Sequence, residues 1–552
     1  MVVLGISGRE RDAASALLID GALVAATTEE ACIRTPRAGY SYAAGFPFAS
    51  VQACLQRAGI TARDVQRMVF CDEDGHTGIC DAPPSWMAPL RRPSNGTVEF
   101  NGAAGMRVGR LFAHASQLQA TSAADGPIVV LDTERRGHAA VFIRTGSAVV
   151  FEREIDHFSR VVQQLNTATA ALGLGGDPLM ELELLAGDGQ PLYAEALGRA
   201  LWYEPGGGLG IDRRELQAVY ADANVDADNH LADRAPLHMQ VRRTRANLAA
   251  SVVTLVGRIV CDIATDIVET YGSDTFGLGG SLFAHHEIAA CVRASLGHRA
   301  QLALLPSSLG LALGAAIAGG HGASITLPVG LAVGPQFSES DVKEALEVAH
   351  LDYVYEPQWD RIMNRATGLL ARGKRIGWFH GAMDFGRRSL GARSILCDPS
   401  GRYARENLNW FLRYPAEASA PPLVMTNDAA RECLEHVVCS SFGLVSAVVK
   451  PEFRPRLQAA IDQRGRCRIQ TIPDDSSSRV RDLLRVHRQR TGVPALLQID
   501  LCGPDEPVAC TPRDALRTTY SSPLDALFIE RFVLMKDYWL LRSDIRESAV
   551  TR

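Results

Sequence analysis

Lysine is scarce in this chain of 552 residues, occurring only at Lys343, Lys374, Lys450 and Lys536, while arginine is spread throughout. The bias reads as a genome-level preference, and it lowers the weight of any single arginine as a site marker. No Cys-x-x-Cys pair occurs among the twelve cysteines. That argues against a zinc site or a disulfide framework and for reduced thiols in a cytoplasmic protein. No secretory leader is expected, because Arg9, Glu10, Arg11 and Asp12 follow the first apolar stretch at once. The run "LGLALGAAIAGG" is too short to cross a bilayer, so no membrane span is expected. A formal net charge of −5 offers no general attraction for nucleic acid or anionic lipid.

What is present is enough apolar sequence for more than one core. "MVVLGIS" and "AASALLI" read as strands, and Asp20-Gly21 predicts a hairpin turn into a third strand over 22–27. A polar loop, "GRERD", separates the first two strands and points backbone N–H groups outward. The pattern returns at Gly126, where an apolar strand ends near Leu131 and a second strand runs over 139–143. Between these units "FPFASVQACLQRAGI" has helical spacing, and "RANLAASVVTLVGRIVCDIATDIVETYG" predicts a long helix. "TFGLGGSLFAHHEIAACVRASL" reads as strand, glycine turn and helix. Such a turn lets backbone approach a ligand, and the helix N-terminus favours an anion. "SSLGLALGAAIAGG" reads as a tightly packed small-residue helix.

"TLPVGLAVGPQFSESD" reads as a linker, and a second composition begins near Val342. There "GKRIGWFHGAMDFGRRSLGARSILCDP" combines a strand over 375–379 with a glycine-bounded loop carrying Arg388 and Arg393. Arginines on such a loop suit bidentate capture of phosphate or carboxylate. A solvated turn held by salt bridges has the same appearance.

In chain order, "AASALLIDGALVAATTEE", "IRTPRAGYSYAAGFP", "LFAHASQ", "VVLD", "GLGGSLF", "LGLALGAA", "GWFHGAMDFGRRSLGARSIL", "RIQT" and "TGVPALLQIDLCGPDEPVACTPRDAL" resemble the ATP-dependent O-carbamoyltransferases of natural-product biosynthesis. The resemblance covers nearly the whole chain. It implies an α/β protein with an actin-like (ASKHA) domain over 1–335 and a YrdC-like domain over 336–552. In such enzymes the YrdC-like domain makes carbamoyl-adenylate from carbamoyl phosphate and ATP. The actin-like domain, with an iron-type metal, passes the carbamoyl group to a hydroxyl of a small-molecule acceptor. The resemblance implies site roles for Asp12, Arg110, His114 and Asp132. It implies nucleotide or phosphate contacts for Gly279, Gly280, Ser281, Gly314, Arg388, Arg393 and Arg468. It also implies a homodimer or a complex with an active homologue.

The departures are chemical. Arg11 stands where the family carries histidine, Arg110 replaces the first histidine of its His-x-x-x-His motif, and Ser308 replaces a late aspartate ligand. Only His114 and Asp132 remain of the expected metal set, so full metal occupancy is not expected. His138 is a weaker substitute ligand. In the second half Asp384 replaces a glutamate, Arg413 is the nearest counterpart of a family lysine, and Gln498 and Asp500 stand at asparagine and serine positions. Glu181 stands where the family is basic. Three readings stay open: ATP-linked carbamoyl or acyl transfer, redirected adenylate chemistry, and a catalytically lapsed paralogue acting as a binding subunit. Arg11 and Arg110, if they face one cleft, form an anion site; if each pairs with a nearby acid, they do not.

Overall fold

A computed structural model describes residues 1–536 except 42–44, 73–77, 82–89, 92–96, 99–102, 121–124, 135–136, 175–177, 207, 223–234, 304, 306, 321–324, 413–419, 436–438 and 440–444. The first unit begins as expected. Val2–Ser7, Ala14–Ile19 and Ala22–Thr28 form an antiparallel meander. Asp20 and Gly21 both take positive φ (50° and 82°), which the tight turn between right-twisted strands requires. Arg67–Asp72 and Ala104–Gly109 extend the sheet in parallel.

The same plan repeats at Gly126. Gly126–Asp132, His138–Thr145 and Ala148–Glu154 are antiparallel neighbours, and Phe276–Gly279 and Ala300–Leu302 add on in parallel. The two sheets share a five-strand order, the repeat expected of an actin-like unit, and the first adds Ile79–Asp81 as an antiparallel edge strand. A third, ten-stranded mixed sheet is drawn from the strands between Val354 and Met535.

Helix Gly310–Gly319 is buried along its full length and lies on the first sheet. It is not the longest apolar helix. Among the described residues Arg243–Tyr271 alone is long and apolar enough to cross a membrane by length and composition. Leu248, Val252, Leu255, Val256, Ile259, Ile263 and Ile267 of that helix are instead buried in the core against the second sheet. An apolar face this wide needs a protein partner or a lipid, and here protein supplies it.

The expected linker is stitched down. Leu23 N donates to Thr326 O (3.0 Å), Ala26 N to Val333 O (3.2 Å) and Gly334 N to Met383 O (2.8 Å). Leu331 and Val333 are buried, so the segment belongs to the packing of both halves and does not behave as a free tether.

Candidate functional site

The first polar loop is clamped from outside. Asp12 N donates to Arg37 O (3.3 Å) and Ala13 N to Ala38 O (2.8 Å). Asp12 itself sits at φ 55°, a left-handed conformation that aspartate tolerates better than most residues. This geometry turns its carboxylate inward. Ser308 Oγ donates to Asp12 Oδ2 at 3.1 Å, and Arg387 Nη2 of the C-terminal half donates to the same oxygen at 3.1 Å.

Helix Arg110–Gln117 starts where strand Ala104–Gly109 ends, placing Arg110 and His114 one turn apart on one face. Arg110 Nε donates to Asp132 Oδ2 at 2.9 Å, and its Nη2 donates to Glu134 Oε2 at 2.9 Å. Ser281 Oγ donates to Asp132 Oδ1 at 2.5 Å. Burial alone would raise the Asp132 pKa. The Arg110 guanidinium, with His114 and the donated hydrogen bonds, overrides it and brings it down to about 2. Burial works against the Arg110 charge as well, but Asp132 and Glu134 hold its pKa above the ordinary arginine value. His114 is fully buried and neither ring nitrogen has a hydrogen-bond partner. Burial lowers its pKa to about 4, with Arg110 acting in the same direction and Asp132 opposing, so the imidazole is neutral at pH 7.

Two expectations are corrected here. Arg110 does not face a free anion, because its donors are engaged by two protein carboxylates. Arg11 is half exposed and its terminal nitrogen lies 3.7 Å from Glu134, so the pair does not build an open anion pocket. The residues present also do not fit a metal. A guanidinium already stands on Asp132, and a hydroxyl and a second guanidinium stand on Asp12. Among the described residues no group of three or more His, Cys, Asp and Glu side chains converges on one point. His138 pairs in register with Asp132 but its side chain is exposed.

The glycines act first as packing positions. A side chain at Gly314 would collide with the carbonyl oxygen of Ala113, and one at Gly280, which sits at φ 106°, with that of Leu131. Gly314 therefore brings two helices together, and Gly280 brings strand Phe276–Gly279 against strand Gly126–Asp132. Gly279 faces the carbonyl of His114. Ser281 completes the Asp132 shell and accepts from Thr133 N at 2.8 Å. In this structure these four positions pack against the chain's own backbone and the Asp132 carboxylate.

In the C-terminal half, the loop from Asp384 to Arg393 is held from within. Asp384 accepts from Leu390 N (2.8 Å) and Ala392 N (2.9 Å). Asp500 accepts from Ser389 N (2.7 Å), Gln498 Nε2 donates to Ser389 O (3.0 Å), and Gln470 Nε2 donates to Leu390 O (2.6 Å). Burial raises the Asp500 pKa, opposed by Arg388 and the Ser389 N–H. Asp500 is thus a loop anchor and not a bare charge repelling substrate.

Arg393 is corrected most. It is fully buried, its terminal nitrogens donate to the carbonyls of His380 (3.1 Å), Ala392 (2.9 Å), Gly381 (2.9 Å) and Pro335 (3.4 Å), and its guanidinium lies 3.6 Å from the Phe379 ring centroid. Burial lowers its pKa to about 10. Arg393 holds the loop to the strand and the former linker, leaving no terminal donor for a phosphate. Arg388 lies 4.0 Å from Asp500, and Arg468 Nη2 donates to Ala420 O at 2.8 Å. Arg413 lies outside the described residues.

Sequence reading missed the contacts between the halves, and two of them bear on the site. One is Arg387 on Asp12. A second is made by the first turn of helix His286–Leu296. Glu287 meets Arg466 (2.5 Å) and Ser446 (2.7 Å), while Glu183, two residues beyond Glu181 on helix Pro178–Gly187, accepts from Glu287 N (2.9 Å). Arg468 pairs across strands with Ser446, which brings it to the same face. "AHHE" carried the signal, as two histidines and an acid opening a helix, but only the assembled sheet shows what they face.

The class defined here is an α/β protein in which a half with two sheets of similar order packs against a half with a ten-stranded mixed sheet, and Arg387 meets Asp12 where they join. Residues 367–536 match the family described as carbamoyltransferase C-terminus. An uncharacterized protein of Synechocystis sp. is 25% identical over 97% of this chain and 96% of its own length. Nodulation protein NolNO of Sinorhizobium fredii is 28% identical over 37% of this chain and 30% of its own length. Nodulation protein NolO of Bradyrhizobium diazoefficiens is 28% identical over 32% of this chain and 33% of its own length. The chain thus spans about a third of these nodulation relatives. Among solved structures, full-length HypF aligns with 12% identity and a TM-score of 0.35, covering 59% of this chain and 47% of that one. The chain is thus similar to the carbamoyltransferase family over residues 367–536 and, at low identity, to these nodulation proteins.

Proposed function

We propose that this protein performs ATP-linked transfer of a carbamoyl or related acyl group to a small-molecule acceptor, in cytoplasmic natural-product biosynthesis, and does so without a resident metal. The carrying observation is the 3.1 Å contact of Arg387 with Asp12. It sets the loop of the C-terminal half directly on the charged core of the N-terminal half, the arrangement needed to pass an activated group from one to the other. Arg388 and Arg468 are the donors for carbamoyl phosphate or the phosphates of ATP. Asp132 and its Arg110 partner fix the electrostatics beneath the acceptor. His114 supports that floor from the interior and makes no contact with solvent. The working unit is a homodimer or a complex with an active homologue.

A specific observation favours a second reading. Arg393 is engaged by backbone carbonyls and Arg110 by carboxylates, which is how a lapsed paralogue retained as a binding subunit would look. ATP–pyrophosphate exchange with carbamoyl phosphate, and with other small carboxylic acids, separates the two. Transfer predicts exchange that survives chelator and falls at least about ten-fold in Arg388→Ala, since a charged hydrogen bond contributes roughly 1.5–3 kcal/mol. No exchange and no AMP release from folded protein selects the binding subunit.

A further inference from the structure

Helix Ala235–Tyr271 and helix His286–Leu296 pack side by side on the outer part of the N-terminal half. Gly257 and Cys261 lie one turn apart on the first helix; Cys291 and Ser295 lie one turn apart on the second. Gly257 permits the approach: a Cβ there would sit 2.8 Å from Cys291 Sγ and 3.1 Å from its Cβ. Cys261 therefore meets Cys291, and both are partly exposed, whereas Cys54, Cys71, Cys397, Cys433, Cys467 and Cys510 are buried.

We propose that Cys261 and Cys291 form a reversible dithiol–disulfide site that takes a peroxide as its oxidant. The neighbouring Cys291 and Ser295 side chains bring the Cys261 pKa down to about 7, against burial and the Asp262 charge. Cys291 is raised by its Cys261 neighbour and by burial, with Arg466 opposing and Glu287 reinforcing. In the proposed reaction Cys261 is the attacking thiolate. It cleaves the O–O bond of hydrogen peroxide, becoming a sulfenic acid and releasing hydroxide. The Cys291 thiol then attacks that sulfur, forming the S–S bond, and the hydroxyl leaves with the thiol proton as water. The two cysteines are oxidised by two electrons and the peroxide is reduced.

The site has structural leverage. Glu287, one turn before Cys291, carries the contacts to Arg466 and Ser446 of the other half. A disulfide pins that helix to its neighbour at the point where the halves meet.

The test is oxidation of the full-length protein by hydrogen peroxide at pH 7, followed by alkylation, non-reducing proteolysis and mass spectrometry. A Cys261–Cys291 linked peptide, two hydrogens lighter and split by a thiol reductant, is expected, forming about ten-fold faster than any product at Cys32. Cys291→Ser should leave a sulfenic acid at Cys261 that dimedone traps, and Cys261→Ser should abolish both products. No linked peptide, a link only between chains, or faster oxidation at Cys32 or Cys439 overturns the proposal.

Discussion

Each half of the molecule buries an arginine at its centre, and the two are neutralised by opposite means. Arg110 is answered by charge, from Asp132 and Glu134, and its pKa lies above the ordinary value. Arg393 is answered by dipoles, from four carbonyls and a phenyl ring, and its pKa falls to about 10 through burial. A carboxylate partner can in principle be exchanged for another ligand, because the pair is a local contact. Carbonyl partners cannot, because they are the fold. The N-terminal cluster therefore remains open to remodelling, while the C-terminal arginine has become architecture.

That contrast sets the order of effects. Arg393→Met should be the most damaging, because it leaves several buried carbonyls without donors at roughly 1–3 kcal/mol each. A loss of about 4–5 kcal/mol in urea unfolding is expected. A loss below about 1 kcal/mol would return Arg393 to the pool of free phosphate ligands.

Arg110→Met comes next. Removing one partner of a buried ion pair costs about 3–5 kcal/mol, through the charge left on Asp132. Its signature is the pH dependence. Asp132 has a folded pKa depressed from 3.8 to about 2, so the stability it contributes is present above the unfolded value and is lost as pH falls from about 4 towards 2. In Arg110→Met that depression disappears, and the gap between variant and wild type should narrow by about 2–3 kcal/mol across the same window. A gap that stays constant from pH 7 to pH 2.5 would show that Asp132 is not held by Arg110.

The sequence carried the frame of this site but not its pairing. Strands, the Asp20-Gly21 turn and the small-residue helix follow from local periodicity and turn chemistry, and they stand where the spacing put them. Arg110 meets Asp132 across 22 residues and two elements, and Arg387 meets Asp12 across 375. Neither partner is fixed until the sheets assemble. Arg393 was misread for a related reason: an arginine on a glycine-bounded loop looks the same whether its donors point out to phosphate or back to carbonyls. The stretch over 326–341 read as a linker, but its hydrogen bonds to both halves were not legible, because glycine and proline mark both free tethers and backbone fitted closely between two cores.

The smallest effect on stability belongs to the contact on which coupling rests. Arg387 is more than a third exposed, so its ion pair with Asp12 is worth at most about 1 kcal/mol to folding. Arg387→Gln should therefore unfold within about 1 kcal/mol of wild type. Its consequence is expected elsewhere. Asp12 is nearly buried, and with Arg387 shortened it keeps the hydrogen bond from Ser308 Oγ. The first loop of the N-terminal half then loses its tie to the loop that carries Arg388. If the halves pass a group between them, ATP–pyrophosphate exchange should persist in Arg387→Gln while transfer to acceptor drops about ten-fold, the equivalent of roughly 1.4 kcal/mol in the transfer step. Equal loss of exchange and transfer would place Arg387 in donor activation. Loss of neither would reduce the contact to an ordinary surface pair and remove the observation that supports communication between the two halves.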